Sequence, residues 1–164
     1  MGRSPKYLLV ASLLLTISSQ TAFAPPLQLR VSQTNQPWSV TIGQIDLLGP
    51  GGSDFGETES AANEKELDIK NPVGNWRIDV KKTDTTWDAD IHLYIRRTGD
   101  GTGGPFSGGL VYQEITDTDI EFFSGTGESN NVPIQFKLGG SYASNNIFAG
   151  VYTTTITYTI TDNL

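Results

Sequence analysis

The chain has 164 residues, 18 acidic against 11 basic side chains, a net charge of −7 at pH 7, no cysteine and one methionine, Met1. Nucleic acid and anionic lipid head groups are held by clustered Lys and Arg, so scattered basic residues on an acidic chain argue against both partners. With no cysteine and a single histidine, His92, thiol chemistry and structural zinc are excluded, and stability must come from packing alone.

Arg3 and Lys6 precede the apolar run Tyr7–Ile17, and Ala22-Phe-Ala24 follows it. A positive start, a short apolar middle and an Ala-x-Ala end are the parts of a secretory signal peptide. The run is shorter than the ~20 apolar residues of a membrane helix. Residues 1–24 are therefore expected to be removed on export, leaving no membrane span. Residues 25–164, starting at Pro25, are expected to form one secreted domain, extracellular or at the cell surface. Loss of Arg3 and Lys6 moves the net charge from −7 to −9.

From there the pattern alternates with period two, as in a half-buried antiparallel sheet. Leu27, Leu29 and Val31 open it, Trp38, Val40 and Ile42 continue it, and Ile45 and Leu47 follow. Residues 57–66 carry helix formers without an apolar stripe and read as a loop or one exposed turn. Leu67 and Ile69 come next, then Trp76, Ile78 and Val80 against Arg77, Asp79 and Lys81. Ile91, Leu93 and Ile95 alternate with His92, Tyr94 and Arg96, so His92 is expected to face solvent. Ile120 and Phe122 precede Val132, Ile134, Phe136 and Leu138. The last strand is the longest, with Tyr152, Thr154, Ile156, Tyr158 and Ile160 on one face and threonines at every odd position from 153 to 161 on the other. That threonine face either keeps a strand surface wet or offers a flat polar contact between subunits. About eight short strands separated by Gly- and Pro-rich turns read as an all-β, antiparallel β-sandwich, with a closed barrel as the alternative.

The glycine-rich stretch 96–109 is expected to be a mobile hairpin tip. Its basal Arg96 and Arg97 are expected to pair with carboxylates such as Glu114 on the returning strand. Long unstructured loops are also where contact surfaces occur.

Catalytic signatures are absent: there is no Gly-x-Ser-x-Gly, no phosphate loop before a helix and no His-Glu-x-x-His. The chain is not expected to be an enzyme, and no cofactor is expected. Asp88 and Asp90 flank Ala89, and Asp117 and Asp119 flank Thr118. Paired carboxylates of this kind serve glycosidases or bind Ca²⁺, and Asp88, Asp90 and Asp100 are the calcium candidates. Trp38 and Trp76 share the phase of core residues. Trp87 is expected to lie exposed, and with Tyr94 it is the candidate contact for a polysaccharide.

Ala149-Gly-Val-Tyr-Thr-Thr-Thr-Ile-Thr-Tyr-Thr-Ile-Thr161 resembles the final strand of spore coat protein U-like domains and related fimbrial subunits. Pro26-Leu-Gln-Leu-Arg-Val31 is similar to the short strand that follows their signal peptides. The resemblance implies an immunoglobulin-like sandwich that is one strand short and is completed by the N-terminal strand of a neighbour. It then implies Leu27, Leu29 and Val31 as donor side chains, and Tyr152, Ile156, Tyr158 and Ile160 as the inner face of the last strand. The chain departs from the pattern by lacking a cysteine pair and by ending in Asp162-Asn-Leu164 without the near-terminal tyrosine of many chaperone-dependent subunits. The expectation is a secreted, non-catalytic structural subunit of a fibre or surface layer, with copies of itself as partners. The alternative is a secreted carbohydrate-binding module or adhesin, assisted by calcium.

Overall fold

The computed structural model describes residues 25–32, 36–43, 48, 54–84, 86–140 and 150–163. Among the described residues ten strands run in chain order: β1 (Gln28–Val31), β2 (Thr58–Glu59), β3 (Lys65–Lys70), β4 (Asn75–Asp84), β5 (Ile91–Arg97), β6 (Phe106–Gly108), β7 (Gln113–Glu114), β8 (Ile120–Thr126), β9 (Ser129–Gly140) and β10 (Thr154–Asn163). One sheet has the order β1-β3-β9-β5-β7, with β2 also paired to β9, and the other has the order β10-β4-β8-β6. All pairings are antiparallel. The fold is thus an all-β sandwich. The expected signal peptide, and the expected inward pair Ile45 and Leu47, lie outside the described residues. No helix among the described residues is long and apolar enough to cross a membrane.

The period-two pattern works because side chains alternate across a pleated strand. The larger sheet sends Leu67, Ile69, Ile91, Leu93, Ile95, Val132, Ile134, Phe136 and Leu138 into the core. Trp76, Ile78, Val80, Phe122 and Phe123 meet them from the smaller sheet. Trp76 is fully buried, lies edge-on to Phe123 and Phe106, and donates its Nε1–H to the Gly127 carbonyl at 2.8 Å. That bond satisfies the only polar atom of the largest core side chain.

Two adjacent phenylalanines, Phe122 and Phe123, are both buried, which strict alternation forbids. A register shift between Ile78 and Asp79 is responsible. Ile78 opposes Phe123 while Asp79 opposes Glu121, so Phe122 is the extra residue of a bulge on β8. A bulge resets the phase of a strand and bends it.

Three expectations are corrected by the fold. Trp38, Val40 and Ile42 form no strand; they lie in an irregular segment laid on the core, with Trp38 stacked on Phe136 at 5.9 Å. Residues 57–66 are not only a loop, since β2 forms there and the buried Ser60 hydroxyl accepts the Phe136 N–H at 2.9 Å. The glycine-rich stretch is a packed element, as its contacts with Arg97 show below.

Candidate assembly edge

β10 pairs with β4 without interruption, from Thr154 opposite Asp84 to Asn163 opposite Asn75. Among the described strands β4 is its one neighbour, so β10 is an edge of its sheet. Two backbone bonds fix which of its amides point outward. The Thr153 carbonyl accepts from Thr86 N–H, on the β4 side, and Lys82, opposite Ile156, sends its N–H away from β10 to the Thr116 carbonyl. Antiparallel neighbours alternate between bonded and non-bonded pairs. The odd residues of β10 therefore bond to β4, and the N–H and C=O groups of Ile156, Tyr158 and Ile160 face the open side.

Natural edge strands are normally blunted by Lys, Pro, a bulge or short length. β10 is 10 residues long, and it contains no Lys, Arg or Pro. No register shift interrupts its pairing with β4. Its exposed face is Thr155, Thr157, Thr159 and Thr161, and its inner face is the half-buried Ile156, Tyr158 and Ile160 packed on the core. Tyr152 packs there too, although it precedes the strand. The Tyr158 hydroxyl and the Asp162 Oδ1 are buried and have no hydrogen-bond partner among the described residues. Burial pushes the Tyr158 phenol well above its ordinary value of 10.0.

β1 lies on the matching flank of the other sheet and approaches β10 across the side of the sandwich. It pairs with β3 of its own chain, Leu29 opposite Ile69 and Val31 opposite Leu67. Asn71 Nδ2 donates to the Pro26 carbonyl at 3.2 Å, and Ser32 and Glu66 exchange two bonds of 2.9 Å. Leu27, Leu29 and Val31 are half-buried against the core. The expected donor and acceptor strands thus lie side by side on one flank, with no strand paired beyond β10 among the described residues.

The calcium candidates do not converge. Asp88 accepts the Asp90 N–H at 2.9 Å in a turn before β5, whereas Asp100 lies past its far end. A seven-residue strand separates them by roughly 20 Å at about 3.3 Å per residue. Asp100 is instead ion-paired to Arg97, and Asp119 to Lys81 at 2.9 Å. No group of three or more metal-ligating side chains occurs among the described residues.

Arg97 also overturns the mobile-tip expectation. It is 2% exposed, donates to the Gly108 carbonyl at 2.7 Å and to the Phe106 carbonyl at 3.4 Å, and lies over the rings of Phe106 and Phe123. Thr102 N–H donates to Asn130 O at 2.9 Å and Ser129 Oγ to Asp100 O at 3.1 Å, docking the loop on β9. Neither arginine pairs with Glu114, whose carboxylate meets His92 Nδ1 at 2.6 Å. Arg96 lies over the Tyr112 ring and donates to Gln135 at 2.7 and 2.9 Å.

The candidate sugar contacts are separated. Trp87 is half-buried, not exposed: its Nε1–H donates to the Ile91 carbonyl at 2.7 Å and its ring packs on the core. Tyr94 stands on the outer face of the larger sheet with Lys137 over its ring at 4.9 Å. Alternation had already placed His92, Tyr94 and Arg96 there. What it missed is the cross-strand ladder of Lys137, Tyr112, Glu57 and Glu114.

No protein-family model matches the chain, and no curated protein or solved structure is detectably similar to it.

Proposed function

We propose that this protein is a secreted, non-catalytic structural subunit of an extracellular fibre or surface layer, assembled by β-strand addition at the open edge of β10. The supporting observation is that edge: 10 residues without a basic side chain or proline, outward-facing amides, and half-buried apolar side chains beneath. Strand addition supplies backbone hydrogen bonds for affinity and alternating side chains for register.

The strand order supports an immunoglobulin-like reading. β1-β3-β9-β5 follows the order A-B-E-D, and β4 with β10 follows C-F, with β6 to β8 as an insertion. The seat of strand G, beyond β10, is then the one an incoming strand fills. The resemblance nominates a neighbour's N-terminal strand, with Leu27, Leu29 and Val31 as its inward side chains. In that scheme β1 must first leave β3.

Polysaccharide binding has less support, because Trp87 and Tyr94 do not share a surface and Asp88, Asp90 and Asp100 do not share a site. Electron microscopy of the concentrated, purified exported protein tests the assembly reading. Filaments or sheets are expected from the wild type and should be lost in Thr157→Lys/Thr159→Lys, which charges the exposed face of the edge. Identical assemblies from that variant, with unchanged circular dichroism, would contradict the proposal.

A further inference from the structure

The residues from Thr155 to Thr161 read Thr-Ile-Thr-Tyr-Thr-Ile-Thr, the same in both directions about Tyr158. An antiparallel strand paired with itself about that residue repeats this symmetry in every contact. Tyr158 falls opposite Tyr158 of the second copy, Ile156 opposite its Ile160, and Thr157 opposite its Thr159. The outward-facing amides have the matching phase. Ile156, Tyr158 and Ile160 all present N–H and C=O to the open side, and directly opposed residues in that orientation exchange both bonds. A self-pairing centred on Thr157 or Thr159 would engage the same amides but would set Ile against Tyr, so it is the sequence symmetry that selects the centre at Tyr158.

The side chains agree with the backbone. Ile would meet Ile on the inner face and Thr would meet Thr on the outer face, both favourable cross-strand pairs. Asp162 is the single charged residue of β10 and would fall opposite Thr154, so no like charges meet despite the acidic chain. The buried Tyr158 hydroxyl has no partner among the described residues. Opposed side chains start from Cβ atoms about 5 Å apart, so the second copy brings a phenol beside it.

We infer that the strand occupying the open edge is β10 of a second copy, antiparallel about a two-fold axis at Tyr158, which joins the two smaller sheets into one. This deepens the strand-addition reading and rests on it. The contact is isologous and closes on itself, whereas donation of β1 would propagate head to tail. The β10 contact by itself then yields a dimer, and growth of a fibre or layer beyond the pair requires a second contact.

The chain has no cysteine, so single cysteines report one contact each. Thr157 and Thr159 are exposed and bond to β4 through their backbones, so either substitution leaves the edge amides in place. In the two-fold register Thr157 lies opposite Thr159 of the second copy, in a close non-bonded pair suited to a disulfide. A mixture of Thr157→Cys and Thr159→Cys proteins should form the mixed disulfide about ten-fold faster than either alone, whose equivalent residues lie too far apart to bridge. Equal rates in all three samples would overturn the register. If the protein oligomerises but cross-links only when Arg30→Cys is mixed with Thr159→Cys, the N-terminal strand fills the edge. The two-fold pairing then fails while strand addition stands. A monomer at every concentration would defeat both.

Discussion

Arg97 is the residue whose environment departs furthest from what its type implies. A guanidinium that is 2% exposed must be paired, because an isolated buried charge is too costly to keep. Here Asp100, three loop carbonyls and two aromatic faces supply the compensation. Asp100 is half-exposed, so solvent weakens the ion pair itself. The larger role of Arg97 is to give the loop carbonyls a donor and to fill the space beneath them. Arg97→Ala is expected to lose about 3 kcal/mol, read as a fall of roughly 10 °C in Tm. Asp100→Asn should cost well under half of that. Equal losses would mean that the ion pair, not the carbonyl network, holds the loop.

Tyr158 gives the protein an alkaline limit. Burial raises its phenol above the ordinary value of 10.0, so the folded state keeps a proton that the unfolded chain gives up. Its contribution is complete below about pH 10 and is lost as pH rises towards the folded value. Tyr158→Phe should therefore flatten the fall in Tm between about pH 9 and 11. Measured where the protein is monomeric, it should not lower stability at neutral pH, because it removes a buried hydroxyl without a partner among the described residues. A steeper alkaline loss in the variant would contradict this account of the site.

At the scale of elements, β3, β4, β5, β9 and β10 were legible because each has one wet and one dry face. Even the outward positions of His92, Tyr94 and Arg96 follow from that pattern. The bulge at Phe122 was not legible: nothing local distinguishes an inserted residue from a phase change, and the cause lies across the sheet in β4. The Trp38–Ile42 segment alternates like a strand but pairs with none of the described strands, and its apolar side chains pack on the core. The glycine-rich loop misled for the opposite reason. Its glycines permit close approach as well as freedom. Gly101 has φ +63°, and a Cβ there would lie 2.1 Å from the Asn130 carbonyl oxygen. Gly101→Ala is expected to destabilise by more than about 1 kcal/mol in thermal unfolding. Shortening residues 99–108 to a tight turn should cost more still, because it removes β6 and uncovers Arg97. Unchanged Tm in the shortened protein would restore the mobile-tip reading.

At the scale of the whole molecule, β10 could be recognised as a strand from its sequence, but its position at an edge could not. Strand order depends on contacts between distant parts of the chain, and β10 pairs with β4 from the other half of it. Of the 18 acidic residues only Asp162 lies in β10, near its end, so like-charge repulsion between copies is weak along most of that strand. That combination motivates the structural reading, since an unprotected edge would be a hazard without a partner. The alternation of bonded and outward-facing amides along β10 allows a residue-resolved test by hydrogen exchange over a range of protein concentrations. The account predicts that the amides of Thr157 and Thr159 are protected at all concentrations. Those of Ile156, Tyr158 and Ile160 should exchange freely in dilute protein and become protected on concentration. Free exchange of these three amides at every concentration would contradict the claim that another copy completes this edge.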